Sequence, residues 1–469
     1  MTRLDDTICA CATSGSGAIG VIRVSGPDTF AITDTLVSLK SGSISASGGY
    51  SIRYGKIHAC GGDAEELDEV LISVFRAPHS YTGEDSVEIS CHASQYIIKR
   101  ILESLVVAGA RMAGPGEFTR RAFLNGKMDL AQAEAVADLI ASSSKAAHHV
   151  AMSQLKGEYS KELRDLRDQL LEITALMELE LDFSEEDVEF ADRSKLRELL
   201  DDALGHIDRL SASFRDGNAV RNGIPVAIVG EVNSGKSTLL NAFLGEDRAI
   251  VSDIPGTTRD TVEETMTIDG LLYRFIDTAG LRDTQDSIEK IGIQRSWDKL
   301  SHADIVIAVL DGCAPAGKNG ETLSRISSAL ADHQTLIAVT NKTDLSPAVK
   351  STLGISAKTG DGLDKLKSAI SRSQADRFKE DGTLVTNLRH YEALTRATEA
   401  LRAVRAGLDA LTPTDLIAED LRAAISELNT IFGAASFDSA TGSPAGTGNS
   451  AIDFKAVTDL IFERFCIGK

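Results

Sequence analysis

Ile224-Pro225-Val226-Ala227-Ile228-Val229, followed by Gly230-Glu231-Val232-Asn233-Ser234-Gly235-Lys236-Ser237, is the stretch on which the fold turns. Its first six residues form a short apolar run, as a parallel strand buried on both faces requires. The next eight fit G-x-x-x-x-G-K-[ST]. The glycines let the backbone curl until its N–H groups face phosphate oxygens. Lys236 brings a charge to the β- and γ-phosphates, and the Ser237 hydroxyl is a ligand for Mg²⁺. Asn233, Ser234, Gly235 and Thr238 complete the contacts expected of this loop, and Thr238-Leu239-Leu240-Asn241 opens a helix.

Similar apolar runs follow at Leu271–Ile276, Ile305–Leu310 and Thr335–Val339, with helix-type segments between them. Strands alternating with helices imply an inserted doubly wound α/β domain over 223–376, and the motifs that follow make it a P-loop GTPase domain. After the second run comes Asp277-Thr278-Ala279-Gly280, a carboxylate placed to hold Mg²⁺ through water and a glycine able to turn an N–H to the γ-phosphate. Asn341-Lys342-Thr343-Asp344 fits N-K-x-D, whose aspartate accepts from N1 and the exocyclic amine of guanine, a donor pair adenine lacks. Ser356-Ala357-Lys358 fits the loop that meets the guanine oxygen. In this order they specify GTP. In the intervening loop, Val251 to Asp260, Thr258 is the choice to complete the Mg²⁺ shell and Thr257 the alternative. Leu281 stands where many small GTPases carry a water-orienting glutamine, so that help must come from elsewhere.

The whole chain has 469 residues, enough for two to four domains, with 42% hydrophobic content. Its net charge of −20 excludes a basic footprint over the whole surface, though not a local one. No run approaches 18 uncharged apolar residues and the N-terminus lacks a signal-peptide pattern, so the expectation is a cytoplasmic protein with no membrane segment. Six cysteines without C-x-x-C pairs suggest reduced, packed thiols. Cys466 is open to two readings, a packed thiol between Phe465 and Ile467 or a nucleophile.

Residues 1–125 mix β-type runs (Ala18–Gly26, Val70–Phe75, Ser86–Ser90) with a helix at Gln95–Ala108, an N-terminal α+β domain. Helical patterning takes over in 126–222, where Leu155, Tyr159, Leu163, Leu166, Leu170, Ile173 and Met177 trace one stripe along a long helix. It returns in 377–469, with one helix through Tyr391, Leu394, Leu401, Leu408 and Leu411, stopped by Pro413, and another through Leu416, Leu421, Ile425, Leu428 and Ile431. A Gly/Ser-rich linker follows at 433–450, then a last helix marked by Phe454, Val457, Ile461 and Phe465. The economical arrangement is a discontinuous helical bundle interrupted by the α/β domain: a multidomain α/β plus α protein.

The G-T-T-R-D loop at 256–260, D-T-A-G-L-R at 277–282, Gly83-Glu84-Asp85 with Glu88, the run Pro115-Gly116-Glu117-Phe118-Thr119-Arg120-Arg121-Ala122-Phe123-Leu124-Asn125-Gly126-Lys127 and the terminal Phe465-Cys466-Ile467-Gly468-Lys469 together resemble the MnmE (TrmE) family of tRNA modification GTPases, over nearly all of the chain. The resemblance implies addition of a carboxymethylaminomethyl-type group to C5 of the wobble uridine of certain tRNAs, together with an FAD-dependent partner, MnmG (GidA). It implies a homodimer formed through the N-terminal domain. It implies a tetrahydrofolate derivative, 5-formyl or methylene, contacted by Arg23, Glu88, Lys127 and, from the CIGK tail, Lys469. Three cations beside one carboxylate suit a pterin-glutamate ligand.

The same resemblance implies K⁺-dependent hydrolysis through G-domain dimerisation, with Asn233 ligating the ion beside carbonyls of Ser252, Ile254 and Thr257. Nucleotide contacts then run through Ser252, Asp253, Ile254, Pro255, Gly256, Thr257 and Thr258. Glu289 would position water in place of Leu281, with Lys236 and Arg259 as further catalytic candidates. Two features depart from the family pattern. The 433–450 segment is longer than the usual connection, and Pro255 stiffens the cation loop. The rival reading is a GTP-operated RNA-binding switch, such as a ribosome-assembly GTPase. Such proteins usually carry their RNA-binding module after the G domain and have neither a split bundle nor a C-x-G-K tail.

Overall fold

The computed structural model describes residues 6–13, 17–60, 65–182, 193–246, 264–276, 302–315, 317–347, 352–374, 377, 383–410 and 412–433, with Thr458, Ile461, Phe462, Phe465 and Gly468 of the C-terminal segment. The chain divides into two compact units, 1–137 with 429–469, and 138–428.

The first unit runs β1 (Ile8–Cys11), β2 (Ile19–Ser25), α1 (Thr29–Leu36), β3 (Val37–Leu39), β4 (Ser51–His58), β5 (Glu66–Phe75), β6 (Ser86–His92), α2 (Gln95–Val107), β7 (Arg111–Met112), α3 (Glu117–Leu124) and the start of α4 (Leu130–Ala141). Its strands form one sheet in the order β3-β4-β5-β6-β2-β1-β7. Alternation along β2 sends Ile22 and Val24 into the core, where they meet Ile72, Val74, Val87 and Ile89 beneath α1 and α2. Arg23 therefore points to the opposite face. The antiparallel register of β2 and β6 sets it directly across from Glu88.

The C-terminal segment joins this unit, and Phe462 and Phe465 pack with Leu130, Ala133 and Phe123. Burying those two rings contributes roughly 1.5–3 kcal/mol each. The buried pair is spaced by three, so Phe462 takes the place expected for Ile461, which lies at the edge of the cluster. Phe454, Val457 and the linker beyond Gly433 lie outside the described residues.

The second unit contains α5 (Lys145–Leu155), α6 (Glu158–Asp182), α7 (Arg193–Asn222), β8 (Ile224–Gly230), α8 (Lys236–Glu246), β9 (Glu264–Ile268), β10 (Leu271–Phe275), β11 (Ile305–Asp311), α9 (Lys318–Ser327), β12 (Thr335–Asn341), β13 (Leu353–Gly354), α10 (Leu363–Gln374), α11 (Leu388–Asp409) and α12 (Thr414–Phe432, through Leu428). The expected long helix is two. Gly157, at φ +83°, breaks it, so Leu155 ends α5 and the stripe from Tyr159 to Met177 is the buried face of α6 alone. The helices before and after the inserted domain do form one bundle: α7 packs on α11, with Phe214 stacked 4.5 Å from Tyr391 and Arg197 paired with Asp409 at 3.0 Å.

The inserted sheet has the order β13-β12-β11-β8-β10-β9. Leu239, Phe243, Leu366 and Ile370, from α8 and α10, cover one face, and Ile326 from α9 covers the other, the doubly wound arrangement expected. Among the described residues the sheet has two edge strands absent from the sequence reading, the antiparallel β9 and the short parallel β13. Asp269 and Gly270, both at positive φ, close the two-residue hairpin between β9 and β10.

Candidate functional site

Two sites emerge, one in each unit. In the second, β8 ends at Gly230, whose φ of +157° and close approach to the Val309 carbonyl admit no side chain. The loop then turns through Asn233 at φ +64° and Gly235 at φ +95° into α8, which starts at Lys236. Lys236 Nζ donates to the carbonyls of Gly230 and Glu231, at 3.0 and 2.8 Å. Burial holds its pKa below the usual lysine value, opposed by the Glu231 carboxylate. Glu231 is itself braced by Lys318 at 3.1 Å and Thr322 at 3.2 Å on α9, and the Lys318 contact lowers its pKa.

The residues expected to recognise the base converge on this loop from the ends of β12 and β13. The Asn341 side chain, buried, donates to Ser234 O at 2.9 Å and accepts from Ala357 N at 2.9 Å. One amide thus ties the phosphate loop to the Ser356–Lys358 loop. Asp344 accepts from Ser356 Oγ at 2.8 Å, which fixes the carboxylate expected to read guanine. Lys342, at φ +67°, pairs with Asp311 at 2.7 Å. Burial raises the Asp311 pKa, but Lys342 and the Cys313 N–H outweigh it and hold the carboxyl below its usual range. Ser237 is half-buried in the first turn of α8, while Asn233, Thr238 and Lys358 are exposed.

The structure thus gathers Asn233 to Thr238, Asn341, Lys342, Asp344 and Ser356 to Lys358 at the carboxyl ends of β8, β12 and β13, where an α/β sheet binds ligands. A triphosphate fits backbone N–H groups at a helix start beside a lysine. Mg²⁺ fits the Ser237 hydroxyl. Ser252 to Thr258, Arg259, Asp277 to Gly280 and Glu289 lie outside the described residues.

In the first unit, Arg23 donates from Nε and Nη2 to one Glu88 oxygen, at 3.0 and 2.8 Å. Its guanidinium lies 5.2 Å from the Tyr81 ring and 5.5 Å from the Phe118 ring. Nη1 reaches the Gly468 carbonyl at 3.5 Å. The 78–84 loop carrying Tyr81 is pinned throughout. Tyr81 Oη meets Thr119 Oγ1 at 2.9 Å, Asn125 donates to Thr82 O at 2.7 Å and Lys127 to Pro78 O at 3.0 Å. Beneath it Arg121, only 1% exposed, bonds Asp6, Glu84 and Glu117. Arg23, Glu88 and Lys127 therefore serve one neighbourhood, while Lys469 lies outside the described residues.

The Arg23–Glu88 pair, its side chains 16% and 30% exposed, can offer charge and hydrogen bonds to a heterocycle bearing donors and acidic groups, as a folate does. Tyr81, Phe118 and Gly468 had no place among the expected site residues, although each stands inside or beside a motif already quoted. Their roles depend on tertiary contact, which spacing does not display.

A third cluster joins the bundle to the sheet. Asp304, at the root of β11, accepts from Arg215 of α7 at 2.6 Å and from Arg377 at 2.7 Å, and Arg377 also meets Asp216 at 2.5 Å.

Comparison with known proteins bears on both units. A family model described as the MnmE helical domain matches residues 130–440, and another, GTP-binding protein TrmE N-terminus, matches residues 7–127. The tRNA modification GTPase MnmE of Bacteroides thetaiotaomicron is 48% identical over 99% of this chain and 99% of that one. That of Porphyromonas gingivalis is 48% identical over 99% and 98%. Among solved structures, the G domain of the T. maritima FeoB iron transporter shares 26% identity over 32% of this chain and 97% of that chain, with a TM-score of 0.24, too low to bear on the fold.

Proposed function

The chain belongs to the MnmE family of tRNA modification GTPases, and from that premise we propose that it acts with an FAD-dependent enzyme of the MnmG (GidA) kind to add a carboxymethylaminomethyl-type group to C5 of the wobble uridine. The observation that carries this reading is the second site. A GTP-driven switch needs only the P-loop. This chain also builds, in a separate unit, an Arg23–Glu88 pair whose guanidinium lies over the rings of Tyr81 and the buried Phe118. A tetrahydrofolate derivative is the ligand proposed there, with Lys127 and Lys469 as further cations for its carboxylates. When bound it supplies a one-carbon unit. The protein's part is to hold and orient it.

In the G domain, Mg²⁺ is assigned to Ser237 and Thr258, and K⁺ to Asn233 with carbonyls of Ser252, Ile254 and Thr257. Exposure of Asn233 at positive φ supports a side chain turned outward toward an ion. Glu289 is assigned to position the attacking water, with Lys236 and Arg259 as further catalytic residues; Glu289→Ala should lower kcat about 100-fold with GTP affinity kept. The protein is proposed to work as a homodimer in the cytoplasm, where its tRNA is. An apolar sheet face at Ile52, Tyr54 and Leu71, respectively 68%, 46% and 50% exposed, supports self-association of the first unit. Among the described residues no helix is long and apolar enough to cross a membrane.

Mass spectrometry of wobble nucleosides from cells lacking this protein tests the reading directly. The C5 group should disappear. Undiminished modification, with ribosome assembly impaired instead, would establish the switch reading.

A further inference from the structure

The nucleotide loops leave the carboxyl ends of β8 and β12. At the other end of the same sheet lies a cavity of about 440 Å³, beside the amino ends of β8 and β11, where α7 runs into β8. That size is in the range of small-molecule sites. Arg215 and Asn218 reach its wall from the end of α7, Arg274 from β10, and His302 and Asp304 from the approach to β11. The parallel register of β8 and β10 sets Arg274 beside Pro225. Gly223, at φ +88°, carries the chain from α7 into β8 on the same wall, and a Cβ there would stand 3.2 Å from Arg274 Cβ. A side chain at 223 would press on the stem of that arginine, so the glycine leaves the cavity its room.

The chemistry of the wall is one-sided. Arg215, Arg274, His302 and the Asn218 amide can all donate hydrogen bonds. Asn218 Oδ1 already accepts from Asn222 Nδ2 at 2.6 Å, which leaves its own Nδ2 for donation. The one carboxylate on the wall, Asp304, is 10% exposed and accepts from Arg215 at 2.6 Å and from Arg377 at 2.7 Å. A guanidinium carries more N–H donors than that shared carboxylate can take, and Arg215 is 46% exposed. Pro225 and Ile276 add apolar surface. The complement of such a wall is an anion with several acceptor oxygens, and guanidinium forks match phosphate oxygens in pairs.

We propose that this cavity binds a small phosphorylated ligand, held by Arg274 and Arg215 with Asn218 and His302 as further donors. The site is separate from the nucleotide loops and from the Arg23–Glu88 pair. An RNA backbone carries related chemistry, but Arg274 is half-buried between α7 and the strand ends. A recessed cation suits a free monoester, with its terminal oxygens and double charge, better than a diester within a strand. Occupancy would link α7 to β10 and β11 at the joint that Asp304 already ties.

The test titrates inorganic phosphate and ribose 5-phosphate into the full-length protein, followed by phosphorus NMR. GDP and Mg²⁺ are kept saturating, so that the P-loop is filled, and ionic strength is held constant with chloride. Wild type should show one saturable site per chain. Arg274→Met keeps the stem and removes the guanidinium, and affinity should fall at least about tenfold, as when a charge-assisted hydrogen bond is lost. Asn218→Leu, at an exposed helix position, should weaken binding about threefold or more, and it carries the test if Arg274→Met fails to fold. Lys161→Met, which removes an exposed charge on α6, should change nothing. GDP affinity serves as the folding control throughout. Saturable binding that is weakened in both cavity variants and kept in Lys161→Met supports the proposal. No saturable binding by wild type overturns it, and so does binding that survives both cavity variants, because the phosphate then sits elsewhere. An equal loss in Lys161→Met overturns it as well, since only general charge attraction would be at work. The last arm adds a short single-stranded RNA without terminal phosphates. Displacement of ribose 5-phosphate, with the same dependence on Arg274, would make the occupant a backbone diester and overturn the free-ligand proposal; no displacement supports it.

Discussion

The nucleotide site and the proposed folate site are built from different materials. At the P-loop the chain's own backbone does most of the work, through positive φ at Asn233 and Gly235, N–H groups at the start of α8, and a single buried amide, Asn341, that ties two loops together. Around Arg23 the backbone supplies the register of a sheet, and side chains from β2, β6, the 78–84 loop and α3 supply the contacts. A backbone-built site is contiguous and fails when conformation is lost. A side-chain-built site is scattered and fails when one group is removed.

The sharpest way to break that contrast is Gly235→Ala. A Cβ at 235 would collide with Asn341 Nδ2, and φ of +95° is costly for alanine. Both the curl of the loop and the Asn341–Ser234 bond are then lost, though no group that touches GTP has been removed. GTP affinity should fall by about 100-fold or more, roughly 3 kcal/mol. Titration with a fluorescent GTP analogue measures it. A change of less than threefold would mean that the loop tolerates another path and the site is not conformationally carried.

That difference also explains what could be read without coordinates. Gly230 to Ser237, Asn341 to Asp344 and Ser356 to Lys358 are short strings whose spacing encodes their geometry, so the expected nucleotide loops and the four central strands of their sheet were legible directly. The β9–β10 hairpin was also spelled out, as Asp269-Gly270 between apolar runs, yet it was passed over because the alternation in Glu264–Ile268 is brief. Gly157 ends a helix that the apolar stripe continues, because the four-residue step from Leu155 to Tyr159 reads as helical spacing although Lys156 and Gly157 form a turn there. Arg23 was reachable only through resemblance. Its partners lie 65 and 445 residues away, and only the β2–β6 register brings the first of them opposite. Asp304 carried no signal, being an ordinary acidic residue before a strand.

Arg23→Ala probes the scattered site. Removing the guanidinium takes away both hydrogen bonds to Glu88, the contact with the Gly468 carbonyl and the cation–π contacts with the Tyr81 and Phe118 rings. Folate binding should weaken by about 1.5–3 kcal/mol, the range for hydrogen bonds to charged groups. Calorimetry with 5-formyl-tetrahydrofolate on the full-length protein reads it. GTP affinity should stay the same. A parallel loss of GTP affinity would show that the two sites are energetically one, and the contrast between them would fall.

The smallest expected effect comes from Asp304, a side-chain-built joint inside the unit whose ligand site is backbone-built. Burial alone would raise its pKa. Hydrogen bonds and charge from Arg215 and Arg377 more than reverse that and hold it below 3.8. A carboxyl whose folded pKa is depressed stabilises the fold above its unfolded pKa, and that stability drains away as pH falls through the folded value. The contribution is therefore full at neutral pH and begins to fail below about pH 4. Asp304→Asn keeps the shape and one acceptor oxygen but removes the charge, leaving Arg215 and Arg377 without their shared carboxylate. Because Arg215 is 46% exposed and Arg377 21%, water screens part of the loss, and the cost should be about 1–2 kcal/mol rather than that of a fully buried pair. Urea unfolding at pH 7 should show it, and at pH 3 the gap between wild type and variant should shrink. Glu231, Lys236 and Asn341 are untouched, so GTP affinity should stay within about twofold. An equal stability gap at both pH values would mean that the carboxylate's charge contributes nothing. A large loss of GTP affinity would mean that the joint and the nucleotide loop move together, so that the backbone-built site depends on side chains at the far end of its own sheet.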